Sequence, residues 1–351
     1  MINIITQFPW AIASPESLSL GKTMQNMLLS LNVFVRFIVA LAVLVSAFAV
    51  HAQAYPTRSI RYIVAQAPGG SSDTLARVLA PRLTAALGQQ VVVDNRPGAT
   101  GIIGAEITVN APPDGYTLMQ VATSHATNTA MGVKLPFDPL RDLASISLIS
   151  QQPNIWLAHP SLPARNIKQL VAFARTRPGV IDFASSGTGG SQHLAGELLN
   201  VMTGIKLVHI PYKGSPPALT DTLAGRVALM SSTMAPAMPY LNGGRLFALA
   251  VTSAQRSPAA PNVPTVAESG VPGYEAIAWQ GLVAPAKVPA EVINRVSDEL
   301  VRILKIAEVR RLLMDHGFEP VGATAAEFSA FTRAEIVKWT KVTTAAGLRA
   351  K

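Results

Sequence analysis

Ile60-Arg-Tyr-Ile-Val-Ala-Gln-Ala-Pro-Gly-Gly-Ser-Ser-Asp-Thr-Leu-Ala-Arg-Val-Leu79 decides the fold class of this chain. Its first residues, Ile60 to Ala65, have the apolar, β-branched character of a buried strand. Pro68-Gly69-Gly70 makes a tight turn. Beyond it, the spacing of Leu75, Val78 and Leu79 predicts a helix with one apolar face, capped by Ser71, Ser72 or Asp73. A glycine turn feeding a helix leaves backbone N–H groups converging on one spot, with the positive end of the helix dipole behind them. That arrangement suits an anion, although the same turn is also ordinary punctuation in an α/β protein. A second copy of the device favours the anion. Phe183-Ala-Ser-Ser-Gly-Thr-Gly-Gly-Ser191-Gln-His-Leu-Ala-Gly-Glu197 is again strand, glycine-serine turn and helix. Two such loops suggest two domains facing each other across one ligand.

Outward from the first unit, Gln90 to Asp94 reads as a short strand. Asn95-Arg-Pro-Gly-Ala-Thr-Gly-Ile-Ile-Gly104 makes another glycine turn into a helix. Its glycines at 98, 101 and 104 do not match the G-x-G-x-x-G spacing of a dinucleotide site, and they follow the second strand, not the first. Tyr116 to Ala122 is a third strand, with Thr123, Ser124 and His125 at its carboxyl end, where open α/β sheets hold ligands. Ile146–Ile149 and Asn154–Ala158 read as strands leaving this domain. The second block runs from the helix Ile167–Arg175 through the strands Leu207–Pro211 and Val227–Ser231 to Phe247–Thr252, with a helix Ala218–Ala224 between. Ile277 to Pro285 resembles a return crossing. Helices Ala290–Lys305 and Ala325–Thr344 close the chain, the latter with Phe328, Phe331 and Ile336 inward. Strands alternating with helices imply α/β sheets covered on both faces.

The chain has 351 residues, nearly half of them hydrophobic, only 14% charged, with no cysteine and a net charge of +9. A large core is therefore available, while disulfides and thiolate chemistry are excluded. The basic residues are scattered, only Arg310-Arg311 being adjacent among them in the folded part, and no nucleic-acid signature is present, so no nucleic-acid partner is expected. His193 and Glu197 stand four apart on one helix face, but no third metal ligand is evident. Gly189-Gly-Ser191-Gln-His does not complete a serine nucleophile elbow, and acidic residues are sparse near the glycine loops. No metal, no cofactor and no catalytic pair is expected, and the chain is not read as an enzyme. Phe37 to Val50 is an apolar run followed by His51-Ala52-Gln53-Ala54, the pattern of a cleaved secretory leader. Met24 or Met27 competes with Met1 as the start, and residues 1–54 are set aside from the fold.

The segments Pro68–Asp73, Asn95–Gly104, Pro113-Asp-Gly-Tyr-Thr-Leu118, Phe183–Gly187, Gly190–Leu194, Pro211-Tyr-Lys-Gly214 and Pro264-Thr-Val-Ala-Glu-Ser-Gly270 together resemble one family. They are similar to the Bug receptors, the extracytoplasmic solute-binding proteins of tripartite tricarboxylate transporters, over essentially all of residues 55–351. The resemblance implies a two-lobed α/β periplasmic binding protein fold of type II, with two mixed sheets flanked by helices and joined by two hinge crossings. It implies a first lobe from 55–153 and 277–351 and a second from 154–276, closing on a small organic carboxylate. Pro68, Gly69, Gly70, Ser71 and Asp73 would form one jaw, and Ser186, Gly187, Thr188, Gly189, Ser191 and Gln192 the other. Thr123, Ser124 and His125 would line the floor. Asp73 is expected to cap its helix, His125 either donates to a carboxylate or satisfies a backbone carbonyl, and Lys213 is expected exposed. One departure is Ala65-Gln66, where the family commonly carries proline and an aromatic. The implied role is a periplasmic monomer that delivers its ligand to membrane permease subunits. Docking to a signalling partner is the alternative, and an exported enzyme a weaker one.

The leader reading has a direct check. Produced with its own leader in a bacterium, the protein is expected in the periplasm with Gln53 or Tyr55 at its N-terminus by intact-mass analysis. Full-length chain in the membrane fraction would show an anchor instead.

Overall fold

Ile60–Val64 forms strand β1, and the helix that follows, α1, runs Ser71–Leu87 in the computed structural model. The structure describes residues 27–31, 33–38, 55–241 and 244–349. Residues up to Tyr55 form one unit and Pro56–Lys351 another. In the first unit 27–31 and 33–38 are helical, and the expected cleavage site at Val50 to Ala54 lies outside the described residues. Among the described residues no helix is long and apolar enough to cross a membrane.

In the second unit the chain continues through β2 (Val91–Asn95), α2 (Ile102–Val109), β3 (Thr117–Ala122), α3 (Ser124–Ala130) and β4 (Leu143–Ala158). Next come α4 (Ile167–Arg175), β5 (Asp182–Ser185), α5 (Ser191–Thr203), β6 (Val208–Pro211) and α6 (Ser215–Leu223). After β7 (Leu229–Thr233), the short α7 (Met234–Ala237) and β8 (Phe247–Val251), strand β9 (Ile277–Pro285) returns. The chain ends in α8 (Ala290–Lys305), α9 (Ala307–Asp315), β10 (Glu319–Pro320) and α10 (Ala325–Ala345). Two features depart from the sequence reading. The segments 146–149 and 154–158 are one sixteen-residue strand, because Pro153 sits where the strand changes partners and leaves no broken ladder. The helix α9 was also not anticipated; its buried residues, Val309 and Leu313, are few and its apolar face is short.

Strand β4 belongs to two mixed sheets. From Leu143 to Pro153 it runs antiparallel to β9, which continues through β3 to β1 and β2. From Asn154 to Ala158 it pairs with β7 on one side and β8 on the other, and β7 leads to β5 and β6. Alternation along this second half sends Trp156 and Ala158 into one apolar core with Phe183 and Leu199. Ile155 and Leu157 enter the opposite one with Ala184 and Met230. The core of the first sheet gathers Ile63, Met119, Val121, Trp279 and Phe328.

Helix α10 reaches both regions. Its Phe328 packs edge-on to Trp279 at 5.8 Å, while Trp339 sits in the core beside Trp156. Between them the buried Glu335 carboxylate accepts from both indoles, Trp279 Nε1 at 2.9 Å and Trp339 Nε1 at 2.8 Å. The helix starts on a capping box, Thr324 with Glu327.

Phe328 leaves no room at Gly281 of β9, where a Cβ would lie 2.1 Å from the ring. Gly281→Ala is therefore expected to cost about 1–3 kcal/mol through overpacking. A melting temperature lowered by a few degrees, and recovered in part by Phe328→Leu, would show it. An unchanged melting temperature would contradict the packing.

Candidate functional site

Both glycine-serine turns do deliver a helix N-terminus to one place. In α1 the first intrahelical bond is Thr74 N–H to Gly70 C=O, and in α5 it is Leu194 N–H to Gly190 C=O. The amides of Ser71 to Asp73 and of Ser191 to His193 thus have no partner inside their helices. Ser71 and Ser191 lie at opposite walls of a cavity of about 560 Å³ between the two sheets. That volume is within the range of about 300–1,000 Å³ usual for small-molecule sites.

The polar side of this cavity is organised by buried amides. Tyr62 Oη donates to Gln120 Oε1 at 2.8 Å, and Gln120 Nε2 donates to the Ser72 carbonyl at 3.0 Å and to Gln280 Oε1. Gln280 Nε2 in turn donates to Ser71 Oγ at 3.1 Å, and Gln152 Nε2 donates to the same oxygen. Burial pushes the Tyr62 phenol well above its ordinary pKa, so this series starts from a hydroxyl that stays protonated. Its direction has a consequence at the other end. With two amides donating to it, Ser71 Oγ has both lone pairs occupied, and its proton is left to be given away. On the other wall Ser186 Oγ donates to Gln192 Oε1 at 2.8 Å and Ser191 Oγ to Asn154 Oδ1 at 3.0 Å.

Among the described residues no arginine, aspartate or glutamate lines the cavity, and Lys213, exposed as expected, is the one lysine on it. His125 touches both this cavity and a smaller one of about 260 Å³. Burial lowers its pKa to about 4, so it is neutral at pH 7 and either nitrogen arrangement is open to it.

Of the residues expected at the site, Ser71, Thr123, Ser124 and His125 line the cavity from the first sheet. Ser186, Gly187, Thr188, Ser191 and Gln192 line it from the second. Pro68, Gly69, Gly70, Asp73 and Gly189 are off its wall, and the reason is local. The Gly69 N–H is spent on Asp73 Oδ2 at 2.9 Å, and Gly70 N–H on the Ala67 carbonyl. Asp73 also accepts from Arg77 and Asn95, at 2.9 and 3.0 Å. Its burial alone would raise its pKa, but these hydrogen bonds outweigh that and hold the carboxylate below its usual range. The helix N-cap itself is Gly70, with Asp73 reaching back from the first turn. Gly189 is committed as well: its N–H meets His193 Nδ1 at 3.1 Å, and its carbonyl accepts from Thr127 Oγ1. At φ +81°, with Met131 Sδ only 3.2 Å from a would-be Cβ, this glycine serves the close approach of α3 to the second loop.

A second cross-cavity bond accompanies it, Thr100 Oγ1 to the Thr188 carbonyl at 2.9 Å. Thr100 belongs to the turn Pro97–Gly101, which the sequence marked as a glycine turn without a role in binding and which supplies a large part of the wall. Ala99 and Thr100 both hold positive φ, 43° and 51°, an uncommon state for residues with a Cβ. Gln66, marked in the sequence as a departure, lines the cavity, whereas Gln120, Gln152 and Gln280 were missed. A legible signal existed: single amides inside apolar strand sequences such as TLMQVA and IAWQGLV need buried partners.

A family model described as a tripartite tricarboxylate transporter family receptor matches residues 75–348. Protein BugT of Bordetella pertussis (strain Tohama I) is 36% identical over 304 residues, covering 86% of this chain and 93% of BugT. A solved structure titled R. palustris Rpa4515 with adipate superposes with a TM-score of 0.81 at 36% identity, covering 84% of this chain and 98% of the other. MatC (Rpa3494) from Rhodopseudomonas palustris with bound malate gives 0.77 at 28% identity, covering 82% and 99%.

The histidines give this region a pH dependence. His125, near 4 when folded against an ordinary 6.5, binds its proton less readily than in the unfolded chain. Its contribution is complete above about 6.5 and is lost as pH falls towards 4. His209, which donates to or accepts from Ser185 at 2.6 Å and stacks on His193 at 3.9 Å, is lowered to about 3 by burial and then by His193, and acts in the same direction. The melting temperature should therefore fall between pH 7 and 4, less steeply in His125→Asn. Identical slopes in a pH series of thermal melts would contradict an imidazole held neutral by the fold.

Proposed function

The chain belongs to the tripartite tricarboxylate transporter receptor family, and from that premise we propose that it captures a small organic carboxylate between its two sheets and delivers it to a membrane permease. The family is one of periplasmic solute-binding receptors and not of enzymes. The observation that carries the reading is the Ser71 hydroxyl, made a donor by two glutamines at the head of one helix and faced by the head of another. Donors converge there, and among the described residues no acidic side chain lines the cavity against them.

The same reading assigns the mobile parts. Residues 55–153 and 277–351 form one lobe and 154–276 the other, with the hinge at Pro153-Asn154, where β4 changes sheets, and at the return into β9. Closure brings Thr100 and Thr127 onto the carbonyls of Thr188 and Gly189. Ser71, Thr123, Ser124, Ser186, Gly187, Thr188, Ser191 and Gln192 hold the ligand, with His125 as a neutral partner. Export to the periplasm and hand-over to the transporter's membrane subunits complete the role.

A carboxylate in this site gains about 1.5–3 kcal/mol from each charge-assisted hydrogen bond. Ser71→Ala removes one, so affinity for the tightest acid of a panel including hexanoate, benzoate, adipate and malate should drop by roughly 10- to 150-fold in calorimetric titration. Circular dichroism checks that the variant is folded. Undiminished affinity would remove Ser71 from the site.

A further inference from the structure

His125 stands between two cavities. Among the described residues it is the one residue that lines both the large cavity and the smaller one of about 260 Å³. Helix α3 explains how. Thr127 reaches the second loop, where its hydroxyl meets the Gly189 carbonyl. His125 leaves the same helix two residues earlier, about 200° round the axis at 3.6 residues per turn, and so faces away from that loop. On that side Ala325, Ser329 and Thr332 of α10 bound the small pocket, spaced four and three apart as one stripe of their helix. The start of β4, Leu143 to Ser145, adds a second wall. The segment before β4 runs along both spaces: Leu135 and Phe137 line the large cavity, Pro139 and Leu140 the small one. The two are neighbours along one wall, and His125 is what they share.

The small pocket is a polar, open space. Its lining carries the hydroxyls of Ser145, Ser329 and Thr332 and, apart from His125, no titratable group. Thr332 Oγ1 donates to the Phe328 carbonyl at 2.9 Å and keeps its lone pairs as acceptors. Ala144, Ser145, Ala325 and Ser329 are only half-buried, so the pocket reaches solvent behind the imidazole. All of its residues belong to what is read above as one lobe, so closing the lobes leaves it as it is.

We propose that His125 is a specificity-determining residue: its imidazole closes one end of the ligand site against this rear pocket and thereby limits the length of acid that is accepted. This rests on the carboxylate-receptor reading above and adds a length limit to it. The rear pocket is the space a longer ligand would enter once the ring is reduced, with three hydroxyls to meet a polar far end.

Calorimetric titration with succinate, adipate, suberate and sebacate tests the partition. Wild-type affinity should fall by about tenfold or more at one step of the series, where the far end of the acid meets the imidazole. In His125→Ala that step should move to a longer acid, with sebacate bound about tenfold tighter and succinate within about threefold of wild type. His125→Asn, a smaller reduction, should move it in the same direction. Ser329→Trp, which fills the rear pocket from α10, should cancel the gain in His125→Ala and leave the wild-type series as it was. A wild-type protein that takes sebacate as well as adipate overturns the proposal without any variant. An unchanged limit in both His125 variants does the same, and either result leaves the carboxylate reading intact. Loss of succinate binding or of fold in both variants, the latter seen by circular dichroism, would make the ring a ligand contact or a packing residue and also overturns the limit. No binding of any acid to the wild-type protein overturns both readings.

Discussion

Strand β4 must find hydrogen-bond partners for its backbone in two different sheets, and the rest of the molecule is arranged around that requirement. Its first part is covered by β9 and its last five residues by β7 and β8. Where the partners change stands Pro153, a residue with no N–H to satisfy, and next to it Asn154, whose side chain anchors Ser191 and the Ala276 carbonyl. The cavity lies where the ladder changes hands. Gln152, one residue before, already points at the head of α1, so a single strand presents groups to both helix starts.

In the proposed reading, negative charge is met here without an arginine among the described lining residues. Two helix N-termini provide amides and a fixed partial charge, while neutral side chains provide direction. The series Tyr62, Gln120, Gln280, Ser71 runs one way because a phenol kept protonated by burial stands at its start and a serine at its end. Buried amides are costly unless nearly all of their donors and acceptors are engaged, which ties this series to one arrangement.

Several glycine-loop residues turn out to serve the loops themselves. Asp73 holds the first turn through Gly69 and Asn95, and Gly189 is fastened between His193 and Thr127. The second loop rests on a stacked pair of imidazoles, the buried His193 and the half-buried His209, with Glu197 3.6 Å from the former. Motif residues and contact residues are therefore different sets within the same few positions, because a loop can offer a ligand only the groups its own turn does not consume.

Local chemistry made much of this legible in advance. The apolar strand Ile60–Val64, the helix periodicity from Leu75, and the two glycine-serine turns are properties of neighbouring residues, and they gave the α/β class and the position of both helix starts. The C-terminal helix and its inward Phe328 followed from the same periodicity. What lay out of reach depended on partners far along the chain. That 146–149 and 154–158 are one strand follows from pairing with β9, β7 and β8. That Gln120, Gln152 and Gln280 meet at Ser71 requires three strands to be adjacent, and no spacing in the sequence records it.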